Sequence, residues 1–219
     1  MQSLAVNHLP HEKVVLVDTH GHQIGVEEKL RAHLNGALHR AFSIFIFNAS
    51  GDLLMQRRAA AKYHSGGLWT NTCCGHPRPG EALAQAAHRR LQEEMGFDCA
   101  MEEAFQFTYR AQLGNGLIEH EFDHVFLGRF EGQPQWNPEE VDACDWVSTD
   151  DLASNLAVRP DHYSYWLRHC FETLRNHLAS DVPPILSSAG VWSPIPRAKE
   201  IGREEAIYRR ADHWFSEGS

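Results

Sequence analysis

WTNTCCGHPRPGE, residues 69–81, places a thiol, Cys74, two positions before an imidazole, His76, and surrounds the pair with Gly75, Pro77, Pro79 and Gly80. Such a stretch is a poor helix or strand interior but a good place to hold reactive groups at the rim of a scaffold. Immediately after it, EALAQAAHRRLQEEM (81–95) has the period of a helix, with Leu83, Ala87 and Leu91 on one side and Gly96 as its stop. Just before it, GLWTN (67–71) reads as a strand. The order strand, reactive turn, helix makes this the point from which the fold can be read.

Upstream, KVVLV (13–17) is a short strand, THGHQIG (19–25) is turn chemistry, and 26–34 suits a helical turn or two carrying Lys29 and His33. AFSIFIFN (41–48) is short, aromatic and β-branched, as expected of a central strand buried on both faces. Asn48-Ala-Ser-Gly51 then turns the chain into DLLMQRRA as a hairpin. Downstream, FQFTYRAQ (105–112), a Gly114-Asn-Gly turn and LIEHEFDHVFLGRF (117–130) predict two more strands. Alternation along the second puts Glu119, Glu121 and Asp123 on one face and His120, Phe122, His124 and Phe126 on the other. Three carboxylates on one face repel one another unless a cation or solvent answers them. DACDWVS (142–148) is a further strand and TDDLASNL a capped helical turn. Residues 160–178 predict a longer helix with Tyr163, Trp166, Leu167, Cys170 and Phe171 inward. Residues 198–215 suit one more helix with a weak apolar stripe. The pattern is α+β: a mixed, largely antiparallel sheet between helices, in one domain over 1–180 with an extension over 181–219.

The bulk properties narrow the function. A formal net charge of −9 argues against nucleic acid or a polybasic membrane contact, while leaving room for a local basic pocket. Five cysteines, odd in number and two of them adjacent, do not make a secreted disulfide framework. With no signal-like start and no apolar run of about 20 residues, the expected compartment is a reducing cytoplasm.

Ligands of one kind come from several segments: His33, His39, His76, Glu119 and Glu121. A His/carboxylate set without a paired CxxC favours Mg²⁺ or Mn²⁺, and the imidazoles keep Zn²⁺ open. Each histidine alone reads equally as a surface or core imidazole. Cys74 is either a nucleophile or proton donor tuned by His76 or a metal, or a structural thiol, a role better suited to Cys73. Arg58, Lys62 and Arg90 suit a phosphate or diphosphate, although each alone reads as a solvated charge.

From Gly75 to Gly96 the spacing of Glu81, Arg89, Leu91, Glu93 and Glu94 resembles the Nudix box, with Arg90 standing where the box has a carboxylate. TNTCCGHP, Gly80-Glu81, EEMG, YRA (109–111) and Glu119-His-Glu121, in this order, resemble type I isopentenyl-diphosphate isomerase, a Nudix-fold family. The resemblance runs from about Lys29 to Trp166. It implies a Nudix-like α/β/α sandwich and interconversion of isopentenyl and dimethylallyl diphosphate, with no nucleic-acid or membrane partner. Cys74 and Glu121 would be the acid/base pair, with Tyr109 bonded to the carboxylate and Trp166 over the reacting carbons. His33, His39, His76, Glu119 and Glu121 would hold one metal, Mn²⁺, Mg²⁺ or Zn²⁺. Glu94 would hold a substrate-bridging Mg²⁺, and Lys29, Arg58, Lys62 and Arg90 would contact the diphosphate. Asp123 and His124 are expected only to pack. The rival functions are a Nudix diphosphohydrolase, which Arg90 opposes, and a non-catalytic metal- or prenyl-diphosphate-binding module.

Overall fold

The computed structural model describes residues 12–180; the helix expected over 198–215 lies outside them. Its strands are β1 (Lys13–Val17), β2 (Gln23–Glu28), β3 (His39–Phe47), β4 (Leu53–Arg58), β5 (Trp69–Thr70), β6 (Cys73–Gly75), β7 (Met101–Gln112), β8 (Ile118–Arg129) and β9 (Val141–Val147). The helices are α1 (Lys29–Asn35), α2 (Leu83–Met95), α3 (Thr149–Val158) and α4 (Tyr165–Ala179). β3 is the hub. It runs parallel to β8, from His39 beside Glu121 to Phe47 beside Arg129, and antiparallel to β6, β1 and, at one pair, β4.

Because side chains alternate along a strand, β3 feeds two cores. Phe42, Ile44 and Ile46 pack with Ala86, Ala87, Leu91 and Met95 of α2, whereas Phe45 and Phe47 pack with Leu152 of α3 and Leu167, Phe171 and Leu174 of α4. The result is the expected three-layer sandwich with a mixed sheet. Gly75 lets α2 approach closely: a Cβ there would stand 2.8 Å from Phe42 Cζ and 3.1 Å from Arg90 Cγ.

The structure departs from the sequence expectation in several segments, and Cys73–Gly75, read as part of a turn, is strand β6 paired with β3. Residues 23–28, expected as turn and helix start, form β2 on β1, with Val15 opposite Val26. The Asp18 carboxylate accepts the His20 and His22 amides at 2.8 and 2.9 Å, which closes a tight hairpin. The β3–β4 hairpin is brief, Phe47 opposite Leu53 being its one pair, because β4 goes on to pair with β9 and β5. The late helix begins at Tyr165 rather than Pro160: Pro160–His162 is a single 3-10 turn, and Tyr163 bridges Trp69 instead. The helical turn after β9 extends to Val158, capped by Ser148 Oγ accepting the Asp151 amide.

Leu91 is fully buried between α2 and β3. Leu91→Ala is expected to lower the unfolding free energy by about 3 kcal/mol, read as a shifted urea midpoint with unchanged slope.

Candidate active site

β8 presents its carboxylates inward as the alternation required: Glu119, Glu121 and Asp123 are buried, with His120, Phe122 and His124 less so. Register sets Tyr109 of β7 on one side of Glu121 and His39 of β3 on the other. Tyr109 donates to Glu121 Oε2 at 2.6 Å and lies 3.1 Å from Glu119 Oε2. Two buried carboxylates this close share one stable charge. Burial and the charge of Glu121 push Glu119 well above the usual range. Burial would also raise Glu121, but the His39 and His76 imidazoles outweigh it and hold Glu121 well below.

The imidazoles are oriented from behind. His33 Nδ1 lies 2.7 Å from the Lys29 carbonyl and His39 Nδ1 2.8 Å from the Ala37 carbonyl. A carbonyl only accepts, so each Nδ1 carries a proton, which in the neutral ring leaves Nε2 as a lone pair. Both Nε2 atoms are buried without a hydrogen bond, which normally costs about 1–3 kcal/mol, although His39 Nε2 stands 3.6 Å from Glu121 Oε1. His76 Nε2 meets Glu121 Oε1 at 2.9 Å. Burial drives His33 down to about 4, with His39 adding to the shift, and drives His76 down to about 3 against its Glu121 bond. One donor atom each from His33, His39, His76 and Glu121 lie within 4.8 Å of one another. Imidazoles with backbone-held Nδ1 atoms and Nε2 atoms that make no hydrogen bond, facing a carboxylate, fit a divalent cation.

The thiol approaches the same cavity from β6. Cys73 and Cys74 face opposite ways, Cys73 toward α2, where it bonds Glu94 at 3.3 Å, and Cys74 toward the α4 layer. Cys74 Sγ donates to Asn71 Oδ1 at 3.3 Å, and Trp166 Nε1 donates to that same oxygen at 3.0 Å. Ser43 Oγ lies 3.7 Å from the sulfur and donates to Asp123 at 2.7 Å. Burial, reinforced by Asp123, pushes the Cys74 thiol well up, so it stays protonated at neutral pH. Such a thiol is suited to giving a proton rather than acting as a standing thiolate nucleophile.

Lys29, Arg58, Lys62 and Arg90 join Cys74, His76, Tyr109, Glu119, Glu121 and Trp166 around a cavity of about 830 Å³. Lys29 pairs with Glu12 at 2.9 Å, and Lys62 pairs with Glu140. The Arg58 guanidinium lies 5.4 Å from the centre of the Trp166 ring. Arg90 meets Glu93 at 3.0 Å, Glu94 at 2.7 Å and Glu140 at 3.5 Å.

A NUDIX domain model matches residues 37–169. The chain is 55% identical to isopentenyl-diphosphate Delta-isomerase 2 of Aromatoleum aromaticum over 74% of its own length and 85% of that protein's. It is 48% identical to the isopentenyl-diphosphate Delta-isomerase of Pectobacterium atrosepticum, over 77% and 94%. The chain belongs to the isopentenyl-diphosphate Delta-isomerase family. Among solved structures, a Deinococcus radiodurans protein overlays 74% of this chain and 98% of its own at TM-score 0.61 and 17% identity. A MutT protein of Methanosarcina mazei overlays 65% and 96% at TM-score 0.55 and 20% identity. These two share the fold.

In this isomerase-family chain, the structure brings His33, His39, His76 and Glu121 into one group, with Glu119 beside it across the Tyr109 hydroxyl. Glu94 is not part of that group; on α2 it accepts from Arg90, Gln56 and Cys73. Asp123, expected only to pack, bonds Ser43 under the thiol, a contact between residues 80 apart that no local pattern reveals. Asn71 and His64 were missed. Asn71 sits three residues before Cys74, a spacing that could have flagged it, whereas His64 lies in a loop with no periodic signal.

Adding Mn²⁺ to chelator-stripped protein is expected to raise its melting temperature, by about 2.7 kcal/mol of stability at a hundredfold excess over Kd. His39→Ala should abolish the rise. A melting curve indifferent to Mg²⁺, Mn²⁺ and Zn²⁺ alike would refute the metal site.

Proposed function

We propose that the chain interconverts isopentenyl and dimethylallyl diphosphate by proton transfer, with Cys74 and Glu121 as the acid/base pair. The observation that carries this reading is the convergence of a protonated thiol and a metal-site carboxylate on one cavity that basic side chains also line. A proton added to the terminal methylene carbon produces a tertiary carbocation. Loss of a proton from the chain carbon next to the cationic centre re-forms the double bond one position along. The diphosphate ester is untouched, and no electrons are gained or lost overall. One acid and one base suffice.

The residues divide the work. Lys29, Arg58, Lys62 and Arg90 grip the diphosphate, with Lys29, Lys62 and Arg90 exchanging their present carboxylate partners for it. Asn71, through one oxygen, fixes both the thiol and the Trp166 ring. The indole face stabilises the cation by about 1–2 kcal/mol in a dry site. Tyr109 orients Glu121. A divalent ion on the His/Glu group, Mn²⁺, Mg²⁺ or Zn²⁺, would set the charge and proton affinity of Glu121, and Glu94 would hold a Mg²⁺ that offsets the charge of the diphosphate. Arg90, bonded to Glu94, replaces one box carboxylate and favours gripping a diphosphate over cleaving it.

Incubation with isopentenyl diphosphate and Mg²⁺ in D₂O should yield deuterated dimethylallyl diphosphate without phosphate release, followed by NMR. Phosphate release without exchange would instead mark a diphosphohydrolase. Cys74→Ala and Glu121→Gln should each abolish turnover while retaining diphosphate binding; turnover surviving in either removes that residue from the pair. Asn71→Ala is expected to lower kcat about 10²-fold with little change in KM, through misplacement of two groups at once. Arg90→Glu should raise KM, and an unchanged KM and binding affinity would exclude its diphosphate contact.

A further inference from the structure

The loop from Arg58 to Trp69 carries a histidine for which neither the acid/base pair nor the diphosphate contacts have a use. His64 is a buried imidazole, its side chain 8% exposed, and its Nε2 stands 3.4 Å from Glu119 Oε1. That separation is longer than a charge-assisted hydrogen bond. The other ring nitrogen lies 3.3 Å from Ser65 Oγ; the tautomer that gives its proton to that hydroxyl leaves Nε2 as a lone pair. The ring is boxed in by Tyr63 at 4.3 Å, edge to face, and by His33 and Trp166 at 6.0 and 6.2 Å between centroids.

The backbone holds His64 there at a cost. Ser65 has φ 51°, the only positive value at a non-glycine among the described residues, and a conformation costing about 1–3 kcal/mol. Gly66 is so tightly seated that a Cβ would meet the Ala60 carbonyl oxygen at 2.6 Å. Amides of Lys62 and Gly67 bond the Ala59 and Arg58 carbonyls at 3.0 and 2.9 Å, closing the loop. Strain confined to one turn that aims a histidine inward is characteristic of a functional position.

His33, His64 and Glu119 form a second donor group, one atom from each lying within 4.8 Å of the others. His33 belongs to both groups, and with its Nδ1 committed to the Lys29 carbonyl only Nε2 is free to ligate. One nitrogen lone pair binds one ion, so the two groups describe a single centre with two lobes. His33 Nε2 has no partner in this dry site, and a cation shared with His64 Nε2 and the Glu119 carboxylate would answer it.

We propose that His64 is a ligand of the divalent ion held by the His/Glu group, a fourth imidazole beside those of His33, His39 and His76. The inference rests on the metal reading above and extends it. It makes the 62–67 loop part of the metal centre as well as a wall of the cavity. A fourth nitrogen donor also shifts the site's preference from Mg²⁺ toward Mn²⁺ or Zn²⁺.

The test is pulsed EPR on the full chain loaded with Mn²⁺, counting coupled ¹⁴N nuclei, together with Mn²⁺ affinity by titration. The variants are His64→Ala and His64→Gln, the second keeping the volume and polarity of the pocket should the first fold poorly. The expected result is one fewer coupled nitrogen in each variant and a Kd at least about tenfold higher, with melting of the metal-free variants near that of the parent. An unchanged nitrogen count overturns the proposal, whether or not affinity moves, because His64 would then be only a neighbour of Glu119. Two Mn²⁺ per parent chain at these donors would overturn the single shared centre. No Mn²⁺ binding by the parent would overturn the underlying metal reading as well.

Discussion

Where β3 and β4 part company, a strand amide and a strand carbonyl lose their natural partners in the middle of the sheet, and the Thr72 hydroxyl replaces both. It accepts from the Ile46 amide at 2.9 Å and donates to the Leu54 carbonyl at 2.7 Å. Its neighbours complete the splice: the Asn71 amide donates to the Ile44 and Cys73 carbonyls, and the Gln56 amide to the Thr72 carbonyl. Each of these groups is buried, so an unmet hydrogen bond would leave an uncompensated polar atom in the core. The splice lets one sheet open into a cavity without leaving a torn edge. It also delivers Asn71 Oδ1, Cys74 and Trp166 to one place.

The electrostatics of the cavity follow from burial more than from net charge. The chain is acidic overall, yet the carboxylates nearest the imidazoles share charge unequally: Glu121 stays ionised while Glu119 and Asp123 are pushed toward the neutral form. The His33 and His76 imidazoles, pushed down by the same burial, are neutral and therefore competent donors. Desolvation thus shapes both halves of a group that could hold a metal, while Lys29, Lys62 and Arg90 around the same cavity have carboxylate partners that an incoming anion could displace.

Much of this was legible in the chain because it is periodic or punctuated. The two-residue alternation of 119–124 announced an inward carboxylate face, and the periodicity of 81–95 with Gly96 as its stop announced the helix, whereas Cys73–Gly75, read as turn, proved to be a strand on β3. What escaped has a common cause in long-range partnership. Residues 23–28 carry only Ile24 and Val26 as apolar positions, both exposed at the sheet's margin, and pairing with β1 makes the segment a strand. Tyr163 has helical spacing with Trp166, but the bridge to Trp69 and the Ser164 amide bond to the Trp69 carbonyl delay the helix. His64 gains its meaning only when the loop folds onto Glu119, 55 positions away in sequence.

The adjacent thiols carry a last consequence. On β6 Cys74 pairs with Ser43 and Cys73 with Ile44, so the two sulfurs occupy separate compartments on either side of one sheet. Their chemical identities are set by parity alone. Sliding β6 by a single position would exchange the two, presenting the cavity with a thiol from the α2 core and burying the other behind Glu94. Insertions and deletions are therefore tolerable in the turns at either end of the sheet but not between Trp69 and Gly75. Over that interval the chain functions as a ruler, and its length is as much a part of the active site as the residues it carries.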